Sequence, residues 1–217
     1  MRDQLVGEFG EYSAVPKRTP IAQLVKSLIS SRTRDEVSLL AFIRLTNRYA
    51  SWSALASAAV ADVEHIIAEV TFPDIKALRL HLSLRTIRDS HPDFDLQFLG
   101  QLSVPDALVW LERLPGVGRK VSAAVLNFST LCLPALVIDT HVLRVLQRFG
   151  MVSPKSDTVT AYETMMEATS AWSATDLIEF HDLLKHLGKT HCQHHFAQCQ
   201  DCPLRYDCVT AARKLNS

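Results

Sequence analysis

The chain lacks a net charge. Its 217 residues carry 23 Lys plus Arg against 23 Asp plus Glu, so no overall field draws it toward a polyanion and any nucleic-acid affinity has to come from a local patch. It lacks an apolar run of about 18 residues, which excludes a membrane-spanning helix. Its first residues, Met1-Arg2-Asp3-Gln4, lack the apolar stretch of a secretory signal, and a cytoplasmic protein is expected. Low-complexity segments and internal repeats are also missing. With 47% hydrophobic and 21% charged residues the composition is that of a folded globule, which excludes a wholly disordered chain. Stretches of alternating apolar and polar residues, the mark of half-buried strands, are absent as well. Leu136-Val137-Ile138 is strand-like but only three residues long.

What is present is helical periodicity. Ile21, Leu24, Val25, Leu28 and Ile29 recur at i, i+3, i+4, i+7 and i+8, one face of a helix. Val37, Leu39, Leu40, Ala41, Phe42, Ile43 and Leu45 mark a very apolar second helix. Residues 74–88 set Ile75, Leu78 and Leu82 on one face with basic residues on the other. Further helices are expected over 60–69, 104–113, 119–130, 142–149, 157–170 and 175–187. Pro73, Pro92, Pro105, Pro115-Gly116, Pro134, Gly150 and Pro154 separate them, since proline and glycine break helices. The pattern implies an all-α fold of about ten short helices. From Lys189 onward the tail reads as loop, with cysteines in place of a hydrophobic core.

Two motifs carry chemistry. Leu114-Pro115-Gly116-Val117-Gly118-Arg119-Lys120 is a turn between two helical stretches. Its glycines permit conformations closed to other residues, and it feeds a helix N-terminus, where unpaired N–H groups and the dipole suit an anion. A plain helix–helix turn reads equally well from these residues alone. The second motif is Cys192-x6-Cys199-x2-Cys202-x5-Cys208. Four thiols so close together in a reducing compartment read as a metal site, for zinc or for an iron–sulfur cluster. Cys132 stands apart and is expected in the core. Five of the nine histidines fall between His181 and His195, with Lys185, Lys189, Arg205, Arg213 and Lys214 in the same region. They form a candidate basic patch, each histidine on a solvated surface. Asp139 precedes Thr140-His141-Val142-Leu143-Arg144-Val145, where it suits a helix N-cap.

The hairpin with Val121-Ser122-Ala123-Ala124-Val125-Leu126-Asn127, the Val137-Ile138-Asp139-Thr140-His141 segment and the cysteine tail occur in one order. Together they resemble endonuclease III, a DNA glycosylase family of the helix-hairpin-helix superfamily. The resemblance covers roughly residues 21–208. It implies two helical lobes: a six-helix barrel over 22–133 with the hairpin, and a terminal lobe of 1–21 and 134–217 carrying a [4Fe–4S] loop on Cys192, Cys199, Cys202 and Cys208. It implies a monomer acting on double-stranded DNA that contains damaged bases or abasic sites. Lys120 is then the nucleophile, and Asp139 the carboxylate that stabilises positive charge on the sugar.

The same resemblance assigns DNA contacts to Gly116, Val117, Gly118 and Arg119 in the hairpin, to His141, and to two residues that fill the gap left by an extruded base. The first of these is Arg32, where the family usually has Gln. The second is Phe72, in a loop whose usual glycine is Thr71 here and where Pro73 follows. Asp35 suits either the base pocket or a helix cap. The expected activity is base excision of damaged pyrimidines with abasic-site lyase activity. A mismatch-type uracil or thymine glycosylase and a non-catalytic iron–sulfur DNA-binding protein are the alternatives, and a lysine–aspartate pair argues against mere binding.

Overall fold

The computed structural model describes residues 1–10 and 17–215. Residues 11–16, inside the expected 1–21 segment, and residues 216–217 lie outside the described residues. Among the described residues twelve α-helices follow one another: α1 Arg2–Phe9, α2 Pro20–Ser30, α3 Asp35–Arg48, α4 Trp52–Ser57, α5 Val60–Ile66, α6 Pro73–Ser90, α7 Val104–Glu112, α8 Arg119–Phe128, α9 Thr140–Phe149, α10 Thr158–Ala168, α11 Ala174–Thr190 and α12 Val209–Leu215. A 3-10 turn, Gln97–Gln101, precedes α7. Two isolated bridges, Arg18 with Ser129 and Cys192 with Ala197, are the extended pairings among the described residues, so the fold is all-α. No helix among the described residues is long and apolar enough to cross a membrane. The chain divides into two compact units, residues 17–133 and residues 1–16 with 134–217.

In the 17–133 unit, α2 is the central rod. Pro20 starts it, since proline fits the first turn of a helix. Its apolar stripe is buried as the periodicity requires, with Leu24, Val25 and Ile29 fully enclosed. It packs on α3, α6 and α8. On α8 the small Ala123 and Ala124 are buried beside Val125 and Leu126.

Two helices present faces other than the expected ones. On α3 the buried residues are Ser38, Ala41, Phe42 and Leu45, while Leu39, Leu40 and Ile43 are exposed. On α6 the expected apolar face, Ile75, Leu78 and Leu82, is 40–48% exposed. The buried stripe is Lys76, Ala77, Leu80, Ser83, Leu84 and Ile87. Both stripes have helical spacing. The one that wins carries a lysine and a serine whose polar atoms find partners inside.

In the other unit, α11 is the rod. Ser173 and Asp176 form a capping box at its start, and Leu177, Ile178, Phe180, Leu184 and Leu187 are buried along it. α1 lies on α11. There Leu5 is fully enclosed, and Arg2 pairs with Asp176 and Glu179. α9 packs closely against α11: a Cβ added at Gly188 would stand 2.9 Å from the Cβ of His141. α9 ends on Gly150 at φ +103°, and a Cβ there would meet Val209 Cγ2 of α12 at 2.7 Å. Both the backbone conformation and the space therefore call for glycine. α12 corrects the expectation of a tail that is loop from Lys189 onward.

Candidate functional site

The hairpin is built by α7, α8 and the flank of α6. Gly116 has φ +83°, and a Cβ on it would fall 2.7 Å from Arg79 Cδ. Ser83 of α6 donates to the Pro115 carbonyl at 2.7 Å, which pins the turn. Val117 is buried beneath it, and Gly118 stands at the N-cap of α8 with no side-chain cap. Arg119 is not splayed outward: its Nε donates to Glu112 Oε1 at 2.7 Å, and Ser122 Oγ donates to the same oxygen at 2.8 Å. Its guanidinium therefore ties the start of α8 to the end of α7. Lys120, the second residue of α8, is half-buried.

Two loops of the same unit meet at Lys76. Only 4% exposed, this residue donates from Nζ to the carbonyls of Ile29 (2.9 Å) and Ser31 (2.7 Å) and to Thr33 Oγ1 (2.8 Å). Burial lowers its amine to about 8, and the charge of Lys120 pushes the same way. Thr71 joins the 31–34 loop to its own, with its N–H donating to Thr33 Oγ1 (3.1 Å) and its hydroxyl to the Arg32 carbonyl (2.8 Å). Arg32 and Phe72, the expected gap-filling residues, sit in these loops at φ +53° and +56°. Both are exposed, Phe72 by 50%. A phenylalanine in the left-handed region is a costly conformation that the surroundings must impose. Asp35 is the first residue of α3 with Arg34 at the N-cap position, so it is not the cap.

In the 134–217 unit Asp139 caps α9, its Oδ1 accepting from the N–H groups of His141 (2.8 Å) and Val142 (2.9 Å). Burial opposes ionisation of this carboxyl. His181, the Val142 N–H, Lys185 and His141 outweigh it and hold the carboxyl below its ordinary range. His181 is buried rather than solvated, 3% exposed, with Nδ1 2.7 Å from the Val137 carbonyl. Burial pushes its imidazole below the usual value in spite of the neighbouring Asp139. Sequence periodicity gave no sign of this pairing, because His181 reaches Asp139 from a helix 42 residues further along. His141 lies at the start of α9, its Nδ1 3.2 Å from an Arg144 nitrogen.

Cys192, Cys199, Cys202 and Cys208 line one cavity with Arg148 and Thr210. Burial raises the Cys202 thiol. Arg148 and Arg144, which carried no signal in the sequence, anchor this loop to α9. Arg148 donates to the carbonyls of Gln193 (2.6 Å) and His194 (2.9 Å), and Arg144 to that of Cys192 (2.8 Å). Cys132 is exposed rather than in the core, with its Sγ 2.7 Å from Lys17 Nζ. It sits at φ +52° in the turn after α8.

Residues 25–172 match the HhH-GPD superfamily of base excision DNA repair proteins. The chain is 30% identical to the endonuclease III of Thermotoga maritima over 201 residues, covering 90% of this chain and 85% of that one. It is 27% identical to endonuclease III-like protein 1 of Gallus gallus, over 98% of this chain and 73% of the other. Among solved structures, a non-covalent endonuclease III–DNA complex superposes with a TM-score of 0.82 at 21% identity, over 100% of this chain and 95% of the other. A trapped endonuclease III–DNA covalent intermediate gives 0.81 at 22% identity, over 99% and 95%.

Proposed function

Because the chain belongs to the HhH-GPD superfamily of base excision DNA repair proteins, as an endonuclease III-like DNA glycosylase and abasic-site lyase, we propose that Lys120 is its nucleophile, Asp139 its charge-stabilising carboxylate, and damaged pyrimidines in duplex DNA its substrates. The observation that carries this reading is Asp139. A carboxyl at a helix start that burial should protonate is instead held ionised, its Oδ1 accepting from two backbone N–H groups. A fixed negative charge of this kind suits a reaction whose sugar becomes oxocarbenium-like.

In that reaction the neutral Lys120 amine forms a bond to C1′ while the C1′–base bond breaks, and the base leaves with the electron pair and takes up a proton. Opening of the sugar ring gives a Schiff base, loss of a C2′ proton expels the 3′ phosphate, and water then frees the lysine. Within the 17–133 unit, Arg119 positions the nucleophile by tying α8 to Glu112. Gly116, Val117 and Gly118 form the backbone turn that meets a DNA phosphate. Arg32 and Phe72 occupy the space vacated by the extruded nucleotide, and His141 contacts the lesion strand. The protein acts as a monomer.

A [4Fe–4S] cluster on Cys192, Cys199, Cys202 and Cys208 fits the donor set. All four thiols wall one cavity. Among the described residues no group of three or more Cys, His, Asp or Glu side chains is gathered closely enough for a single metal ion. Four thiolates are the donor set that such a cluster takes. When bound, the cluster would cross-link the loop that carries the four thiols.

The test is borohydride trapping on DNA with an abasic site. Wild type gives a covalent adduct, and Lys120→Ala gives none while keeping its affinity for abasic DNA within about tenfold. Normal trapping by Lys120→Ala removes Lys120 from the reaction.

A further inference from the structure

Lys76 is the buried cation that the chemistry above leaves without a task. A lysine ammonium has three N–H donors. Here they meet the carbonyls of Ile29 and Ser31 and the hydroxyl of Thr33. The first two acceptors belong to the C-terminal end of α2 and its cap, where a cation complements the helix dipole. The third belongs to the loop that carries Arg32. Lys76 itself sits one turn into α6, behind the loop that carries Phe72. Thr71 adds two hydrogen bonds between the same loops, to Thr33 Oγ1 and to the Arg32 carbonyl. Arg32 and Phe72, the residues these bonds flank, both stand at positive φ, exposed. A backbone held in that region needs surroundings that over-determine it, and the buried strap supplies them.

We infer that Lys76 is a positioning residue: with Thr33 and Thr71 it clamps the 31–34 and 70–73 loops together, so that Arg32 and Phe72 act as one two-pronged element that holds the duplex open at an extruded nucleotide. The inference rests on the assignment of Arg32 and Phe72 to the vacated space. It adds that neither prong is set by its own loop. Lysine suits the task because its four-carbon stem crosses the α2–α6 interface while its head satisfies three acceptors at once. Methionine at this position keeps the stem and removes the donor that the Ile29 and Ser31 carbonyls share.

The experiment compares two substrates that hold the same abasic site. One is a fully paired duplex. The other is a bubble in which the flanking pairs are mismatched, so that extrusion costs little and prongs matter little. Single-turnover nicking and borohydride trapping are measured on both for wild type, Lys76→Met and Thr71→Val. The rate on the paired duplex relative to the bubble falls roughly tenfold to a hundredfold for Lys76→Met, the scale of misplacing a group by about 1 Å. Thr71→Val shifts the ratio the same way by a smaller factor. Thr71 is exposed, so this variant folds even where burial of an unpaired carbonyl prevents Lys76→Met from doing so.

A 2-aminopurine placed opposite the abasic site gives a second readout, its fluorescence rising less with Lys76→Met than with wild type. An unchanged ratio in both variants overturns the clamp. Equal losses on duplex and bubble also overturn it, because they show that Lys76 acts on Lys120 or on folding alone. Trapping that persists in Lys120→Ala on the bubble instead faults the nucleophile and leaves the ratio test for the clamp standing.

Discussion

Replacing Asp139 by Asn and, separately, by Ala divides the chemistry of this carboxylate from its capping of α9. Its Oδ1 accepts from the N–H groups of His141 and Val142. An asparagine amide oxygen can accept both, so the start of α9 survives. Alanine leaves both donors without an acceptor, at a cost of about 1 kcal/mol, which for a chain of this size lowers Tm by roughly 2–4 °C. Both substitutions remove the negative charge, and single-turnover excision falls by roughly 10²–10³ in each, the scale for losing one pre-set electrostatic group.

A second signature follows from the carboxyl's depressed pKa. The fold favours the ionised form, so its contribution is present above the ordinary value of 3.8 and is lost as pH falls through the lower folded value. The Tm difference between wild type and Asp139→Asn therefore closes in strong acid. The assays are single-turnover excision at neutral pH and thermal unfolding followed by circular dichroism across pH. A rate for Asp139→Asn within about twofold of wild type, far short of the expected loss, with Asp139→Ala slower only to the extent that it is unfolded, reduces Asp139 to a cap.

Gly150→Ala destabilises the protein by about 1–2 kcal/mol from the positive φ alone, with a further loss from the 2.7 Å approach to Val209 Cγ2. Adding Val209→Ala recovers the second part and not the first, and a Gly150→Ala protein that melts with wild type refutes the packing argument. Lowering the pH from 7 to 5 lowers Tm, because His181 is held neutral by burial. A folded pKa below 6.5 gives stability that is complete above 6.5 and lost as pH falls. His181→Gln flattens the pH profile, and parallel profiles for the two proteins contradict the assignment. Purified protein carries about four iron and four sulfide per chain with broad visible absorption. Cys199→Ser and Cys202→Ser lose both and lower the soluble yield, whereas one stoichiometric zinc in a colourless protein rules out the cluster.

Legibility in the sequence followed the range of the interaction. The α2 stripe repeats within one helix and is buried as its spacing requires. The hairpin is local too, with Pro115, Gly116 and Gly118 marking it directly. On α6 periodicity alone selects the other face, because the buried stripe includes Lys76 and Ser83, which look like surface residues until their acceptors, the Ile29 and Pro115 carbonyls, come in from elsewhere in the chain. α1, α4 and α12 have six to eight residues each, too few turns for a period to show. His181 reads as solvated for a related reason: only the fold reveals that its neighbour is Asp139. Cys132 reads as core because leucines flank it, and its exposure in a turn at positive φ has no sequence signature there.

α9 links the two chemistries of the 134–217 unit. It has ten residues, a rod of about 15 Å at about 1.5 Å per residue. Asp139 caps its first turn. Its later turns are fastened to the cysteine loop: Arg144 holds the Cys192 carbonyl, Arg148 holds those of Gln193 and His194, and Thr210 Oγ1 donates to the Arg148 carbonyl at 2.6 Å. The loop is held from within by Leu204, 1% exposed, and from α9 by these arginines. One ten-residue helix thus carries Asp139 at its start and the anchors of the cysteine loop along its later turns.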